Sequence, residues 1–240
     1  MNTLLEDAAT TAFHKLANVA QHRSDLYRLL ALAFSNPSGD LISDLQRGLL
    51  VENFQLALDA LGINDTHYGS ALHSLIDFTV KHQDDDPALL LSRLRVEYMR
   101  MFIGPREPVT PLYETLHREP AADGKRPVLM VSETALDVER CYRDAGLHLV
   151  NQEAPDHLAT ELEFMIYLCG KEADAWLADN NTMAKKWRRL EREFLDRHLG
   201  TWGLPLFQQV SELSAERFYQ HLAALASTFL YVETGAFAPR

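Results

Sequence analysis

Five of the ten prolines in this chain, Pro105, Pro108, Pro111, Pro120 and Pro127, fall in one short stretch of a sequence whose apolar residues otherwise recur at helical spacing. Proline lacks a backbone N–H and its ring clashes with the preceding turn, so no helix runs through such a stretch. Residues 103–130 are therefore expected to form a long connection, where an ordinary loop takes about 4–6 residues. The run Glu97-Tyr-Met-Arg-Met-Phe-Ile-Gly-Pro105, followed by Pro111-Leu-Tyr-Glu114, is too aromatic for a plain tether and marks the connection as the first place to look for function.

Helical periodicity dominates on either side. Helices are expected over residues 22–34, 40–61, 66–82 and 87–102 ahead of the connection. Behind it they are expected over 132–146, 155–177, 182–199 and 214–233, with Gly200 and Gly203 breaking the chain between the last two. The run Asp84-Asp85-Asp86 before Pro87 supplies a cap and a negative first turn, and Ser132 is a good N-cap. No alternating run or Asn-Gly hairpin signal announces a strand, and no repeat announces a solenoid. The expected fold is an all-α bundle of about eight to ten helices. It forms one domain over 1–240, with halves at 22–102 and 131–234 joined by 103–130.

Composition narrows the function. The formal net charge is −11 over 240 residues, shared by both halves, which argues against nucleic acid and suits a cationic partner. Two cysteines, Cys141 and Cys169, cannot build a disulfide framework or a zinc cluster. The first residues, Met1-Asn-Thr-Leu-Leu-Glu-Asp, are acidic where a signal peptide is basic and then apolar. Apolar runs such as 29–34 fall far short of the roughly 20 residues of a membrane span. A cytoplasmic protein without a membrane span is expected.

Two further segments stand out. In Glu153-Ala-Pro-Asp-His-Leu-Ala-Thr-Glu161, Pro155 and Asp156 mark a helix start, and His157 and Glu161 share a face at i, i+4. Capping and a surface pair account for that spacing; so does a polar cluster that grips a ligand. In the segment 194–207, Arg197 and His198 suit a helix C-terminus, and Trp202 and Phe207 read as core aromatics. A helical di-iron site needs two Glu-x-x-His elements, and only Glu114-Thr-Leu-His117 occurs. Phosphate-binding glycine loops and a G-x-S-x-G elbow are missing. The remaining enzyme reading is a metal-dependent helical bundle using His157, Glu161, Glu114 and His117.

Three motifs in order are specific where each alone is weak. They are Glu97-x-x-x-x-Phe102-x-Gly-Pro105 with Pro111-Leu-Tyr-Glu114; Glu153-x-Pro-Asp-His157-Leu-x-x-Glu161-Leu-x-Phe-Met165; and His198-Leu-x-x-Trp202-x-x-Pro205-x-Phe207. Together they resemble the TorD/DmsD family of redox-enzyme maturation chaperones, over residues 24–231. Two departures are the shifted aromatic in Pro111-Leu-Tyr-Glu-Thr and a segment before residue 21 without a counterpart. The resemblance implies an all-α cytoplasmic chaperone and no enzyme. Such a protein binds the twin-arginine signal peptide and the apoprotein of a molybdopterin oxidoreductase, and prevents export before the cofactor is inserted. It implies no stably bound cofactor, and at most transient contact with the molybdopterin cofactor or a guanine nucleotide, the latter disfavoured by the missing phosphate loop. The peptide-binding residues it implies are Glu97, Phe102, Gly104, Pro105, Leu112, Tyr113, Glu114, Glu153, Pro155, Asp156, His157, Glu161 and Trp202. Carboxylates can pair with leader arginines in fork geometry, while Phe102, Leu112 and Tyr113 cover apolar residues. A monomer is expected, able to exchange its halves into a swapped dimer if the connection opens.

Overall fold

Apolar stripes too wide for a surface helix leave this chain one way to fold, helix against helix, and the computed structural model shows that arrangement. It describes residues 2–64, 70–104, 107–119, 132–150 and 154–235, with side chains from residue 11 onward. Among these, eleven α-helices follow one another: α1 (Asn2–Ala33), α2 (Gly39–Gln46), α3 (Leu49–Ala60), α4 (Ala71–His82), α5 (Pro87–Tyr98), α6 (Glu114–Arg118), α7 (Glu133–Asp144), α8 (Leu158–Leu177), α9 (Asn181–Arg197), α10 (Leu199–Leu213) and α11 (Arg217–Glu233). No strand occurs among the described residues, only an isolated antiparallel bridge between Tyr113 and His157. No described helix is long and apolar enough to cross a membrane.

The two expected halves interlock. The first helix, α1, lies along α8, α4 packs on α11, and one contiguous core runs from Leu26 through Phe102 and Met165 to Leu230. The first helix starts some twenty residues ahead of its expected position. Nothing breaks the pattern there, and Phe13 and Ala17 continue the stripe onto α8 and α9, with Phe13 stacked on Trp176 at 5.8 Å.

Glycine explains two further differences. The helix expected over 40–61 is two, because Gly48 adopts a left-handed φ of 77° that most side chains avoid. Gly200 and Gly203 do not break a helix; both lie within α10, with Pro205 behind them. A Cβ on Gly200 would come within 2.5 Å of the Leu195 carbonyl oxygen, and one on Gly203 within 2.9 Å of Leu230. Their role is close helix approach. The connection is not free of helix either, since α6 forms within it; Pro120 and Pro127 lie outside the described residues. The expected caps are in place: Asp86 accepts from the N–H groups of Ala88 and Leu89, and Ser132 from Ala135.

Polar burial is concentrated on Arg23 of α1, which is 3% exposed. Its Nε donates to both carboxylate oxygens of Glu233 at 2.9 Å, one Nη to Glu172 at 2.8 Å, and the other to Glu191. Tyr27 and Trp176 complete the shells of Glu233 and Glu172, and Arg188 reinforces Glu191. Cys169 is fully buried beside this knot, whereas Cys141 on α7 is half-buried; both are free thiols.

Removing one partner from a buried ion network strands the others. Arg23→Ala should therefore cost about 3–5 kcal/mol, read from urea unfolding. The knot also sets a pH dependence. Burial pushes the Glu191 carboxyl from 4.5 up to about 7 despite the attraction of Arg23. Its folded value lies above its unfolded one, so the stability it confers is full below pH 4.5 and is lost as pH rises through about 7. Glu191→Gln should flatten the decline in urea midpoint over that window.

Candidate functional site

Two short extended segments meet where the connection passes α8. Pro111 and Pro155 favour extended backbone in the residues before them and precede the residues that pair. The Glu114 N–H donates to the Asp156 carbonyl and the Leu158 N–H to the Leu112 carbonyl, both at 2.9 Å. Opposite one another, the Tyr113 and His157 rings meet edge to face at 4.9 Å. Asp156 was expected to face the start of its own helix; its Oδ2 instead accepts the Thr115 N–H of α6 at 2.9 Å. The cap of α8 is His157, whose Nδ1 accepts the Ala159 N–H at 3.2 Å. Tyr142 fastens the same turn by donating its hydroxyl to the Pro155 carbonyl at 2.6 Å.

Beneath this bridge lie three fully buried carboxyl groups, Glu114, Asp156 and Glu161. Burial, and then the neighbouring Glu114, push Glu161 well above the usual carboxylate range, although the Trp202 indole N–H donates to its Oε2 at 2.9 Å. The shift favours the protonated form of Glu161. Burial raises Asp156 as well, in spite of the bonds from Thr115. Two oxygens here, Asp156 Oδ1 and Glu161 Oε1, have no hydrogen-bond partner. Buried polar atoms without partners are costly, so their clustering in one place is informative.

Toward the surface, His198 aims Nδ1 at Glu114 Oε2 (3.0 Å) and Nε2 at Asp137 Oδ2 (3.4 Å); the second contact lies within ion-pair range but lacks hydrogen-bond geometry. Arg118 pairs with Glu114 and Arg197 with Asp137. Partial burial would raise Asp137, but the Arg197 bond and charge hold it below its ordinary value.

The structure thus brings together Leu112, Tyr113, Glu114, Pro155, Asp156, His157, Glu161 and Trp202. Glu97, Phe102 and Gly104 lie elsewhere, at the end of α5. Glu97 accepts from Arg100, the Ser214 hydroxyl (2.7 Å) and the Ala215 N–H (2.6 Å); burial opposes its ionisation, yet these bonds hold it down at about 2. It pins the α10–α11 turn. Phe102 sits in the core among Phe34, Tyr98 and Tyr219. Gly104 (φ 65°) closes the π-helical turn Met99–Ile103, and a Cβ there would fall 2.2 Å from the Glu107 carbonyl oxygen. Pro105 and Glu153 lie outside the described residues.

The four residues of the metal-enzyme reading do not converge. His117 gives its Nε2 to the Pro111 carbonyl at 2.7 Å and leans on Trp202, and His157 is engaged as a cap. Among the described residues no three His, Cys, Asp or Glu side chains are placed to hold a metal ion. His198 faces Glu114 and Asp137 where its position in the sequence suits a helix C-terminus, and no local pattern marks Asp137. The available signal was the i, i+4 pairing of His198 with Trp202, which puts a donor opposite each of Glu114 and Glu161.

An amide at position 161 keeps an acceptor for the Trp202 indole and removes the charge that burial disfavours. Glu161→Gln should change unfolding free energy by less than about 1 kcal/mol, whereas Trp202→Phe, which leaves Oε2 bare, should cost about 1–3 kcal/mol in the same urea titration.

Comparison with known proteins agrees with this architecture. The family described as the nitrate reductase delta subunit matches residues 64–208. A perchlorate reductase assembly chaperone from Dechloromonas aromatica is 29% identical over 96% of this chain and 94% of its own length. The chaperone protein TorD of Shewanella pealeana is 25% identical over 97% and 96%. A selenate reductase assembly chaperone from Thauera selenatis reaches 36% over 58% of this chain and 68% of its own. A match spanning more than half of the residues, with relatives aligned almost end to end, places the chain in the nitrate reductase delta subunit family, together with TorD and its assembly-chaperone relatives.

Proposed function

We propose that this protein is a cytoplasmic assembly chaperone. It binds the twin-arginine signal peptide and the apoprotein of a molybdopterin oxidoreductase, and withholds the enzyme from export until its cofactor is in place. It catalyses no reaction and holds no cofactor stably. The relatives named above are chaperones of reductase assembly, which supports the general role.

One observation carries the finer reading. Glu114, Asp156 and Glu161 are buried together with two oxygens unpaired, under segments joined by two main-chain hydrogen bonds and an aromatic contact. A guanidinium, with five donors in a rigid plane, is the chemistry that satisfies such a set. The net charge of −11 attracts a basic leader at long range. A recess of about 250 Å³ adjoins the site, where Tyr142, Leu147, Leu149, Phe164 and Tyr167 share the lining with His148, Thr160 and Glu163. It suits the hydrophobic part of a leader. Glu97, Phe102 and Gly104 support the site by fixing where the connection leaves α5. The protein acts as a monomer, and opening of the connection would permit exchange of halves between two copies.

Asp156→Asn keeps the acceptor for Thr115 and removes the charge. In calorimetry with an arginine-pair leader peptide it should bind about 10- to 100-fold more weakly, with helical circular dichroism unchanged. Replacing the arginine pair of the peptide by lysines should weaken binding to the unaltered protein, because an ammonium cannot form the fork. Equal affinity for both peptides would refute the receptor reading.

A further inference from the structure

The acid cluster opens to the surface along one row of side chains: Arg118, Glu114, His198, Asp137, Arg197. His198 stands between the two carboxylates, one ring nitrogen toward each. Each carboxylate carries an arginine on its outer side. The two arginines are neighbours, since Arg118 donates to the Arg197 carbonyl at 2.8 Å. Asp137 also meets Arg140 at 3.2 Å.

Exposure runs in one direction across this row. The side chains of Glu114 and His198 are 0% and 1% exposed, Asp137 is 29%, and Arg118 and Arg197 are 43% and 54%. The acceptors lie deeper than the cations, which reach into solvent. Two guanidinium groups already rest on two carboxylates held one imidazole ring apart, and both can leave by rotation of their own side chains, with no movement of a helix. An imidazole wedged between two carboxylates also keeps them from collapsing onto a single cation.

Resting on the receptor reading above, we infer that Glu114 and Asp137 are the acceptors for an adjacent pair of arginines on the incoming peptide, and that Arg118 and Arg197 occupy those places until the peptide displaces them. The chain carries an internal copy of its ligand's charged group. This sets a threshold: a peptide with one arginine displaces one internal pair and leaves the other closed, while a peptide with two displaces both. Selectivity for a paired motif then follows from competition as well as from contact.

The internal competitors make a prediction opposite in sign to that for the acceptors. Each internal pair keeps its arginine partly in solvent, which weakens it, so removing one competitor should tighten binding by only about 2- to 5-fold. Binding of a fluorescein-labelled peptide, an Arg-Arg pair ahead of an apolar stretch, would be followed by anisotropy with the full-length protein. Arg118→Gln and Arg197→Gln should each tighten it, the double variant should tighten it further, and Asp137→Asn should loosen it. Arg189→Gln removes the same charge from the exposed face of α9 and should leave affinity unchanged, which separates displacement from net charge. Should a glutamine variant lose helical circular dichroism, Arg118→Lys and Arg197→Lys serve instead, as cations that compete without the fork.

Binding that prefers Arg-Arg over Lys-Lys in the unaltered protein, together with equal or weaker binding in the arginine variants, would overturn the displacement inference and leave the receptor reading standing. Loss of the Arg-Arg preference in the unaltered protein and all variants would remove both. Binding seen only after the arginines are removed would support the inference in its strongest form.

Discussion

Glu172, Glu191 and Glu233 come from three different helices and are buried within reach of one another, an arrangement that repels itself unless a cation lies between them. Arg23 is that cation. Its planar fork gives a separate edge to each carboxylate, which a lysine cannot do. Since Arg23 belongs to α1 and Glu233 ends α11, the knot joins the beginning of the fold to its end and fixes α8 and α9 between them. The connection between the halves is then not required to hold them together. Everything described at the candidate site presupposes this, because α8 supplies Asp156, His157 and Glu161 only at or near its first turn.

The two polar clusters follow different logic. Around Arg23 each carboxylate oxygen but Glu191 Oε1 has a partner, and the result is a fastening. Around Glu114 two oxygens, Asp156 Oδ1 and Glu161 Oε1, are left without one. Those two unsatisfied acceptors are what the proposed receptor role would use.

Much of the fold was legible in the sequence because helix signals are local. Caps at Asp86 and Ser132, the all-α class and the irregular stretch after α5 all follow from residues within a turn of one another. What local reasoning missed was long-range. Gly200 and Gly203 look like breaks until Leu195 and Leu230 are known to press against them. Arg23 looks like any surface arginine, since its partners lie 149 to 210 positions away. At the site, the resemblance named residues that do meet, but the spacing around Asp156 pointed to the wrong helix. The capped backbone belongs to a segment 41 residues earlier, beyond the reach of any periodicity.

The burial of the cysteines has a chemical outcome of its own. Cys169, sealed beside the Arg23 knot, has its thiol driven well above its ordinary value by burial, and Cys141 is pushed up to about 11. The thiolate is the species that attacks peroxides and disulfides, and at neutral pH neither residue supplies an appreciable amount of it. Neither thiol is thereby poised to become an electron donor or a cross-linking partner at neutral pH.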